Sequence, residues 1–143
     1  MVDVSNQDVR QLSNDLVVLS ARLVREVRRN TADLPAASTR LMSLLDELGP
    51  STVSALANAD RCSQPTMTGL VNGLVGKGWL ERAPHPDDAR STLVSMTVEG
   101  QQRLAAVRSR NAALVATRVA ESGRTPEELA TAVAVLNDLL PHD

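Results

Sequence analysis

Apolar residues near the start of the chain recur at the spacing of an α-helix. From Val9 to Val27 they follow one another at intervals of three or four residues, which places them on one face of a helix. The opposite face is charged and carries four arginines between residues 22 and 29. The pattern therefore predicts a long amphipathic helix that ends between residues 30 and 34.

Proline, glycine and short polar residues divide the following stretch into three shorter helices. Pro35 has the backbone φ of a first helical turn, and the helix that it begins ends at Gly49-Pro50. Ser51-Thr52 can cap a second short helix, and Ser63 can cap a third that ends at Gly76-Lys77-Gly78. The inner faces of these helices carry Leu41, Leu44, Leu45 and Leu48, then Val53, Leu56 and Ala57, then Met67, Leu70, Val71 and Leu74.

A β-hairpin is predicted after these helices. Residues 79–82 and 92–96 have the composition of short strands, and residues 83–91 contain two prolines and two adjacent aspartates, which indicate a long loop. Two short helices joined by a tight turn and followed by a hairpin make up a winged helix-turn-helix. The expected fold class is therefore mainly α-helical, with a small β wing of two to three strands.

Two further helices are predicted at the end of the chain. Thr97 can cap a helix that runs to about Ser122, and Thr125 opens a capping-box pattern for a last helix that ends before Pro141. These helices and the first one carry apolar stripes that a lobe of residues 40–97 is too small to cover, which favours burial against a second copy of the chain. Alternatively, the stripes cover one another within one chain.

Composition limits the class of protein. The chain has 143 residues, 43% of them hydrophobic and 22% charged, which fits a single domain over residues 1–143. Cys62 has no thiol partner and the two histidines lack ligand spacing, so we expect no disulfide, no metal and no cofactor. No export signal or membrane-spanning segment is recognisable, and the expected location is cytoplasmic, with no membrane partner.

The sequence lacks the short motifs of common enzymes. It contains neither a Gly-x-Ser-x-Gly elbow nor a Gly-x-x-x-x-Gly-Lys phosphate loop, so an enzyme is not expected. Cys62 precedes the third short helix, where a helix N-terminus can lower a thiol pKa, but inward packing is the favoured interpretation. We expect His85 to be solvated on the wing and Trp79 to pack between the hairpin and the helices.

The candidate chemistry lies on the third short helix and on the wing. The outward side of this helix carries small donors and acceptors that can reach base edges in a major groove, and amides suit adenine best. These residues are Ser63, Gln64, Thr66, Thr68 and Asn72. On the hairpin loop, Arg90 can enter a narrow minor groove, and the carboxylate of Asp88 can hold it extended. The alternatives are a solvated polar face and an exposed ion pair.

These segments resemble the multiple-antibiotic-resistance regulator (MarR) family. The likeness rests on residues 52–57, 63–71 and 78–82, and most specifically on the wing run 87–100 with its Asp-x-Arg motif. The resemblance covers nearly the whole chain, flanking helices included. It implies a DNA-binding transcriptional regulator, typically a repressor that a small-molecule effector releases from DNA.

The resemblance also implies how such a regulator is organised. Residues 1–34 and 98–143 would interlock two copies into a homodimer, whose winged lobes, residues 35–97, would straddle a palindromic operator. Arg90, oriented by Asp88, would enter the minor groove, and the face that includes Gln64 and Asn72 would read the major groove. The effector would lie in a cleft between the dimer helices and the lobe. Because the chain has no Tyr and no Phe, this cleft would be aliphatic.

Two features favour a different function. Members of the family often carry arginines on the outer face of the third short helix, where this chain has Gly69 and Gly73, and the net charge is −2. Fewer neutralised phosphates predict modest affinity for DNA and a shallow dependence on salt. The alternative function is a winged-helix module that binds a protein or a ligand and has weak or lost DNA binding.

Overall fold

The computed structural model describes residues 6–30 and 34–141. They form six helices and one antiparallel two-stranded sheet, which confirms the predicted fold class. In chain order the elements are α1 (Asn6–Arg29), α2 (Ala36–Leu48), α3 (Val53–Asp60), α4 (Gln64–Gly76), β1 (Leu80–Pro84), β2 (Thr92–Met96), α5 (Val98–Glu121) and α6 (Pro126–Leu139). Part of the predicted end of the first helix, residues 31–33, lies outside the described residues.

Short polar side chains begin four of the helices at the predicted positions. Thr52, Ser63, Thr97 and Thr125 each accept a hydrogen bond from the backbone N–H three residues later. The last of them forms a complete capping box, since the carboxylate of Glu128 also accepts from the N–H of Thr125. Such caps satisfy amides that have no partner inside the helix, which is why local sequence was sufficient to place these boundaries.

The first strand begins one residue later and ends two residues later than predicted. It begins at Leu80 because the N–H of Trp79 still donates to the carbonyl of Leu74 at the end of α4. The side chain of Trp79 lies in the core, as expected for this residue. The strand runs on to Pro84, which pairs with Thr92 at the end of the hairpin. A proline is tolerated there because the end of a strand does not need another backbone donor. An isolated bridge from Ser51 to the second strand adds the beginning of a third.

One hydrophobic core holds the lobe together. It combines side chains from α2, α3, α4, the hairpin and the first half of α5, and Cys62 packs against it. Its largest fully buried members are Leu41, Met42, Leu56, Met67, Leu80, Val71, Val94 and Val107. The inward packing predicted for Cys62 is therefore confirmed, and α4 is attached to the lobe along its inner face.

The terminal helices do not cover each other's apolar side chains. None of the residues of α6 is buried, and most apolar residues of α1 are exposed. The exposed large apolar residues of the two helices are Val9, Leu12, Val17, Val18, Leu19, Leu23, Val24, Leu129, Val133, Val135, Leu136 and Leu139. The sequence left open that the apolar stripes cover one another within one chain. The described residues do not show this.

An ion pair fixes α2 to the end of α3, just before the turn into α4. Nε of Arg40 lies 2.7 Å from Oδ1 of Asp60, and its Nη2 lies 3.1 Å from Oδ2, so the pair is bidentate. The side chain of Asp60 is 7% exposed. The hydrogen bond from the guanidinium holds the pKa of Asp60 below its ordinary value. This pair therefore stabilises the turn that sets the direction of α4.

Asp60→Asn should lower the free energy of unfolding by about 2 kcal/mol at pH 7, since a charge-assisted bidentate contact is lost. A carboxyl whose pKa is lowered in the folded state stabilises it above the unfolded pKa, near 3.8, and this contribution is lost as pH falls through the folded pKa. The difference between the two proteins should therefore shrink in acid. Denaturant unfolding at pH 7 and pH 3, followed by the emission of Trp79, measures the difference in unfolding free energy between wild type and variant.

Asp46→Asn is the matched control for this prediction. Asp46 lies 2.7 Å from Nη1 of Arg108, but both side chains are about half exposed. An exposed pair of this kind contributes about 0 to 1 kcal/mol. Equal effects of the two substitutions, or an Asp60→Asn effect that does not depend on pH, would contradict the role given to Asp60.

Candidate nucleic-acid interface

The outward side of α4 presents the polar residues that the sequence singled out. Met67, Val71 and Leu74 are buried on its inner face. All five candidates in and before this helix are exposed: Ser63, Gln64, Thr66, Thr68 and Asn72. The helical period is sufficient to explain why these side chains are exposed. Their hydrogen bonds depend on the neighbouring elements.

The first turn of α4 has fewer free backbone N–H groups for a phosphate than a helix N-terminus usually provides. Oγ of Ser63 accepts the N–H of Thr66 at 3.2 Å, and its hydroxyl donates to Oγ1 of Thr66 at 2.8 Å. Pro65 has no N–H. At most one amide of the first turn, that of Gln64, is therefore left for an anion.

Two amide side chains of α4 are held by neighbouring elements. Nε2 of Gln64 donates to Oγ of Ser54 on α3. Oδ1 of Asn72 accepts from Nη2 of Arg82, an exposed residue of β1. Arg82 was not among the site residues predicted from the sequence. The contact joins β1 to α4 across the turn between them. The sequence shows that Arg82 lies at an outward strand position, but it does not show which side chain Arg82 contacts.

The wing loop is organised by its own hydrogen bonds. The N–H of His85 donates to the carbonyl of Ser91, and the N–H of Asp87 donates to Nδ1 of His85, both at 3.0 Å. His85 lies partly exposed on the wing, and its ring also holds the loop together, a role that the sequence did not predict. The contacts close the loop across its base and leave its tip exposed.

Asp88 acts on the backbone of the loop tip. Oδ1 accepts the N–H of Arg90 at 3.0 Å, and Oδ2 accepts the hydroxyl of Ser91 at 3.2 Å. The carboxylate thus holds Arg90 through its main chain, whereas the sequence had suggested a hold on the guanidinium. The side chain of Arg90 is exposed, at the tip of a narrow hairpin.

Several exposed cations lie on the helix-turn-helix and the hairpin, although the whole chain has a net negative charge. The exposed basic residues of the helix-turn-helix and hairpin are Arg61, Lys77, Arg82 and Arg90. Nζ of Lys77 lies 4.8 Å from the ring centroid of Trp79, and Cζ of Arg103 lies 5.0 Å from it. These cation–π contacts anchor two positive charges at the base of the hairpin. Glu81, Asp87 and Asp88 are exposed on the same hairpin, so the excess of positive charge on this part of the lobe is small.

The two glycines of the outer face leave open space. A Cβ built at Gly69 or Gly73 would meet nothing within 4 Å, and neither glycine has a positive φ. Packing therefore does not require glycine at either position. Their effect is to leave a smooth helix surface without cations.

A cavity of about 320 Å³ lies between α1, α2 and α5. Its walls are mainly aliphatic, with Arg28 and Arg108 among its lining residues. Asn111 is among its lining residues, and Oδ1 of Asn111 is buried beside it with no hydrogen-bond partner among the described residues. Buried acceptors in proteins usually have a hydrogen-bond partner, so the Asn111 side chain is a candidate contact for a molecule bound beside it. The site could hold a small ligand that is largely apolar and carries an N–H or O–H group.

Two features are absent from the part of the chain that the structure describes. No group of three His, Cys, Asp or Glu residues there is placed to hold a metal ion. No helix among residues 6–30 and 34–141 is long and apolar enough to cross a membrane.

Comparison with known proteins agrees with this architecture. A model of the MarR family matches residues 34–92. An uncharacterised HTH-type transcriptional regulator of Mycobacterium bovis is 32% identical over 128 residues, 88% of this chain and 90% of that protein. A solved structure described as a transcriptional regulator of Pseudomonas aeruginosa is similar with a TM-score of 0.77 and 27% identity, covering 94% of this chain and 96% of that one. The apo structure of MarR from E. coli is similar in fold, with a TM-score of 0.70 and 24% identity, covering 92% and 95%.

Proposed function

The chain belongs to the MarR family of transcriptional regulators, and from this premise we propose that it is a homodimeric repressor of a palindromic operator, released by a small-molecule effector. Relatives that are named as transcriptional regulators support the DNA-binding function. The observation that carries the proposal is the pairing of two exposed elements on one lobe. These are the polar face of α4 and the loop tip that Asp88 organises around Arg90.

Each element fits one groove of a duplex. An α-helix with small polar residues enters a major groove, and an arginine on a thin loop enters an adjacent narrow minor groove. The uncovered apolar faces of α1 and α6 supply a surface for a second copy. Two α4 helices in successive major grooves require half-sites about 10 base pairs apart, centre to centre.

Arg90→Ala should weaken binding to a duplex from the protein's own upstream region by about thirtyfold or more. Each Arg contact is worth about 1 to 3 kcal/mol, and a dimer loses two of them. Arg90→Lys keeps the positive charge but loses the planar guanidinium, so its affinity should lie between those of the wild type and Arg90→Ala. Fluorescence anisotropy titration measures the affinity, with a scrambled duplex as reference.

Arg29→Ala is the control, because it removes the same charge from an exposed position on α1. It should leave affinity within about threefold of the wild type. Unchanged affinity in Arg90→Ala would contradict minor-groove insertion. Equal wild-type affinity for the operator and the scrambled duplex would contradict a sequence-specific regulator.

The cavity beside Asn111 is the proposed effector site. Its aliphatic walls and its unpartnered acceptor fit a small aliphatic compound with a donor group, such as a hydroxy acid or a primary amide. Asn111→Leu removes the acceptor and fills the space. If aliphatic hydroxy acids release the wild type from operator DNA, this variant should stay bound at the same concentrations. Equal release of both proteins would place the effector elsewhere.

The bare outer face at Gly69 and Gly73 favours one other function, a winged-helix module that binds a protein or a ligand instead of DNA. Electrostatic attraction to DNA is strongest in dilute buffer. A wild-type protein that fails to retain any duplex at low salt would support this second function.

A further inference from the structure

The contact between Asn72 and Arg82 determines which groups α4 presents to its surroundings. Asn72 lies on the exposed face of α4, and Arg82 lies ten residues later on β1. Nη2 of Arg82 donates to Oδ1 of Asn72. A guanidinium carries only donors, so the amide oxygen must be the atom that faces it. The orientation of the Asn72 amide therefore follows from chemistry.

This orientation conflicts with the usual way in which asparagine reads DNA. A bidentate contact to adenine needs Oδ1 to accept from the N6 amino group while Nδ2 donates to N7. Here Oδ1 already accepts from a cation. Its second lone pair remains, but the adjacent guanidinium repels the amino hydrogens of adenine.

Apart from this second lone pair, the groups that the pair leaves available are donors. They are Nδ2 of Asn72 and the N–H groups of Arg82 that Asn72 does not use. Among the described residues the structure gives Arg82 no carboxylate partner, so its charge is not neutralised. In the major groove, guanine offers two neighbouring acceptors, O6 and N7, and a donor-rich pair is complementary to them.

The surface around Asn72 is open enough for a base edge to approach. Its helical neighbours on this side include Gly69 and Gly76, and Gly73 follows it directly. A Cβ added at any of these three glycines would meet nothing within 4 Å. The glycines that remove cations from α4 thus also expose the Asn72–Arg82 pair.

We propose that Arg82 is a positioning residue that makes Asn72 a hydrogen-bond donor and gives α4 a preference for guanine at the base that it faces. The inference rests on the proposed DNA binding. It replaces the adenine preference that the sequence suggested for an asparagine at this position.

The test compares the sequences that full-length proteins select from a randomised duplex library. Asn72→Ala identifies the base pair concerned, because preference should be lost there and nowhere else. The wild type should select guanine at this pair, Arg82→Leu should shift the selection toward adenine, and Arg82→Lys should retain guanine because lysine is also a donor cation. Arg90→Ala is the control and should lower affinity without changing this preference.

A second measurement uses one modified base. Replacing the selected guanine by 7-deazaguanine removes the N7 acceptor and should weaken wild-type binding about tenfold. The same replacement should not affect Asn72→Ala. Circular dichroism should show all variants folded, since Asn72 and Arg82 are both exposed.

The outcomes separate this inference from the proposed function. Wild-type selection of adenine at the pair, an unchanged preference in Arg82→Leu, or an Asn72→Ala profile identical to the wild type would each overturn the role of Arg82 while DNA binding stands. If the wild type enriches no sequence at all, the proposed function fails, and the inference fails with it.

Discussion

Gly100→Ala should lower the free energy of unfolding by about 3 kcal/mol, because it forces a side-chain atom into the backbone of another element. A Cβ built at Gly100 would lie 2.1 Å from the carbonyl oxygen of Trp79 and 3.0 Å from its carbonyl carbon. Backbone atoms cannot rotate away from such a clash. The first turn of α5 must therefore move away from the start of β1.

That movement would break the connection between α5 and the hairpin. The carbonyl of Trp79 accepts the N–H of Thr97 at 3.1 Å, and the hydroxyl of Thr97 donates to the carbonyl of Gly78 at 2.6 Å. The same hydroxyl accepts the N–H of Gly100 at 3.0 Å. The first two bonds join the start of α5 to the residues before β1 and need the close approach that a glycine permits.

Denaturant unfolding followed by the emission of Trp79, the single tryptophan, measures the loss. Gly73→Ala is the matched control because it adds the same methyl group on α4, where the space is open. It should raise stability by about 0.5 to 1 kcal/mol, the ordinary gain from alanine in a helix. A Gly100→Ala protein as stable as the wild type would show that the two elements are not in contact.

Features that depend on local chemistry were predictable from the sequence. Thr97 and Thr125 were recognised as caps because a cap involves only residues within one helical turn. The exposure of Thr68 and Asn72 followed from the helical period, since the apolar residues define the opposite side. Six helices and a hairpin could be assigned in this way because each carries its own signal.

Features that depend on two elements packing together were not predictable. The hydrogen bond between Asn72 and Arg82 joins a helix to a strand across a turn. Neither residue type indicates such a bond in the sequence. Gly100 looked like an ordinary residue of a wing motif, and only the position of Trp79 shows why a side chain is excluded there. The start of β1 was placed one residue too early for the same reason, because the N–H of Trp79 bonds to the carbonyl of Leu74 on α4.

The apolar face of α6 is the largest feature that a single chain leaves unexplained. Val133 is 58% exposed and Leu136 is 41% exposed, although both lie on the side that a helix in a folded protein normally buries. The apolar residues of α1 are exposed in the same way. Contiguous apolar surface of this kind marks an interface, and the commonest oligomer is a symmetric dimer.

Leu136→Glu should therefore convert a dimer of two 15.3 kDa chains into monomers. A symmetric interface would bury two unpaired carboxylates, each at a cost of several kcal/mol. Operator affinity should fall by more than about a hundredfold, since two tethered lobes bind much more tightly than one. Sedimentation velocity at micromolar concentration measures the first effect, and anisotropy titration measures the second.

Thr131→Glu is the control for this substitution, because Thr131 is also exposed on α6 but lies on the polar side, where its hydroxyl donates to the carbonyl of Glu127. It should leave both the dimer and operator binding intact. A wild type that sediments as a single chain, or a Leu136→Glu protein that remains dimeric, would mean that the faces of α1 and α6 do not join two copies. In the second case the two lobes would have to be coupled through another surface, and the half-site spacing expected from α4 would no longer apply.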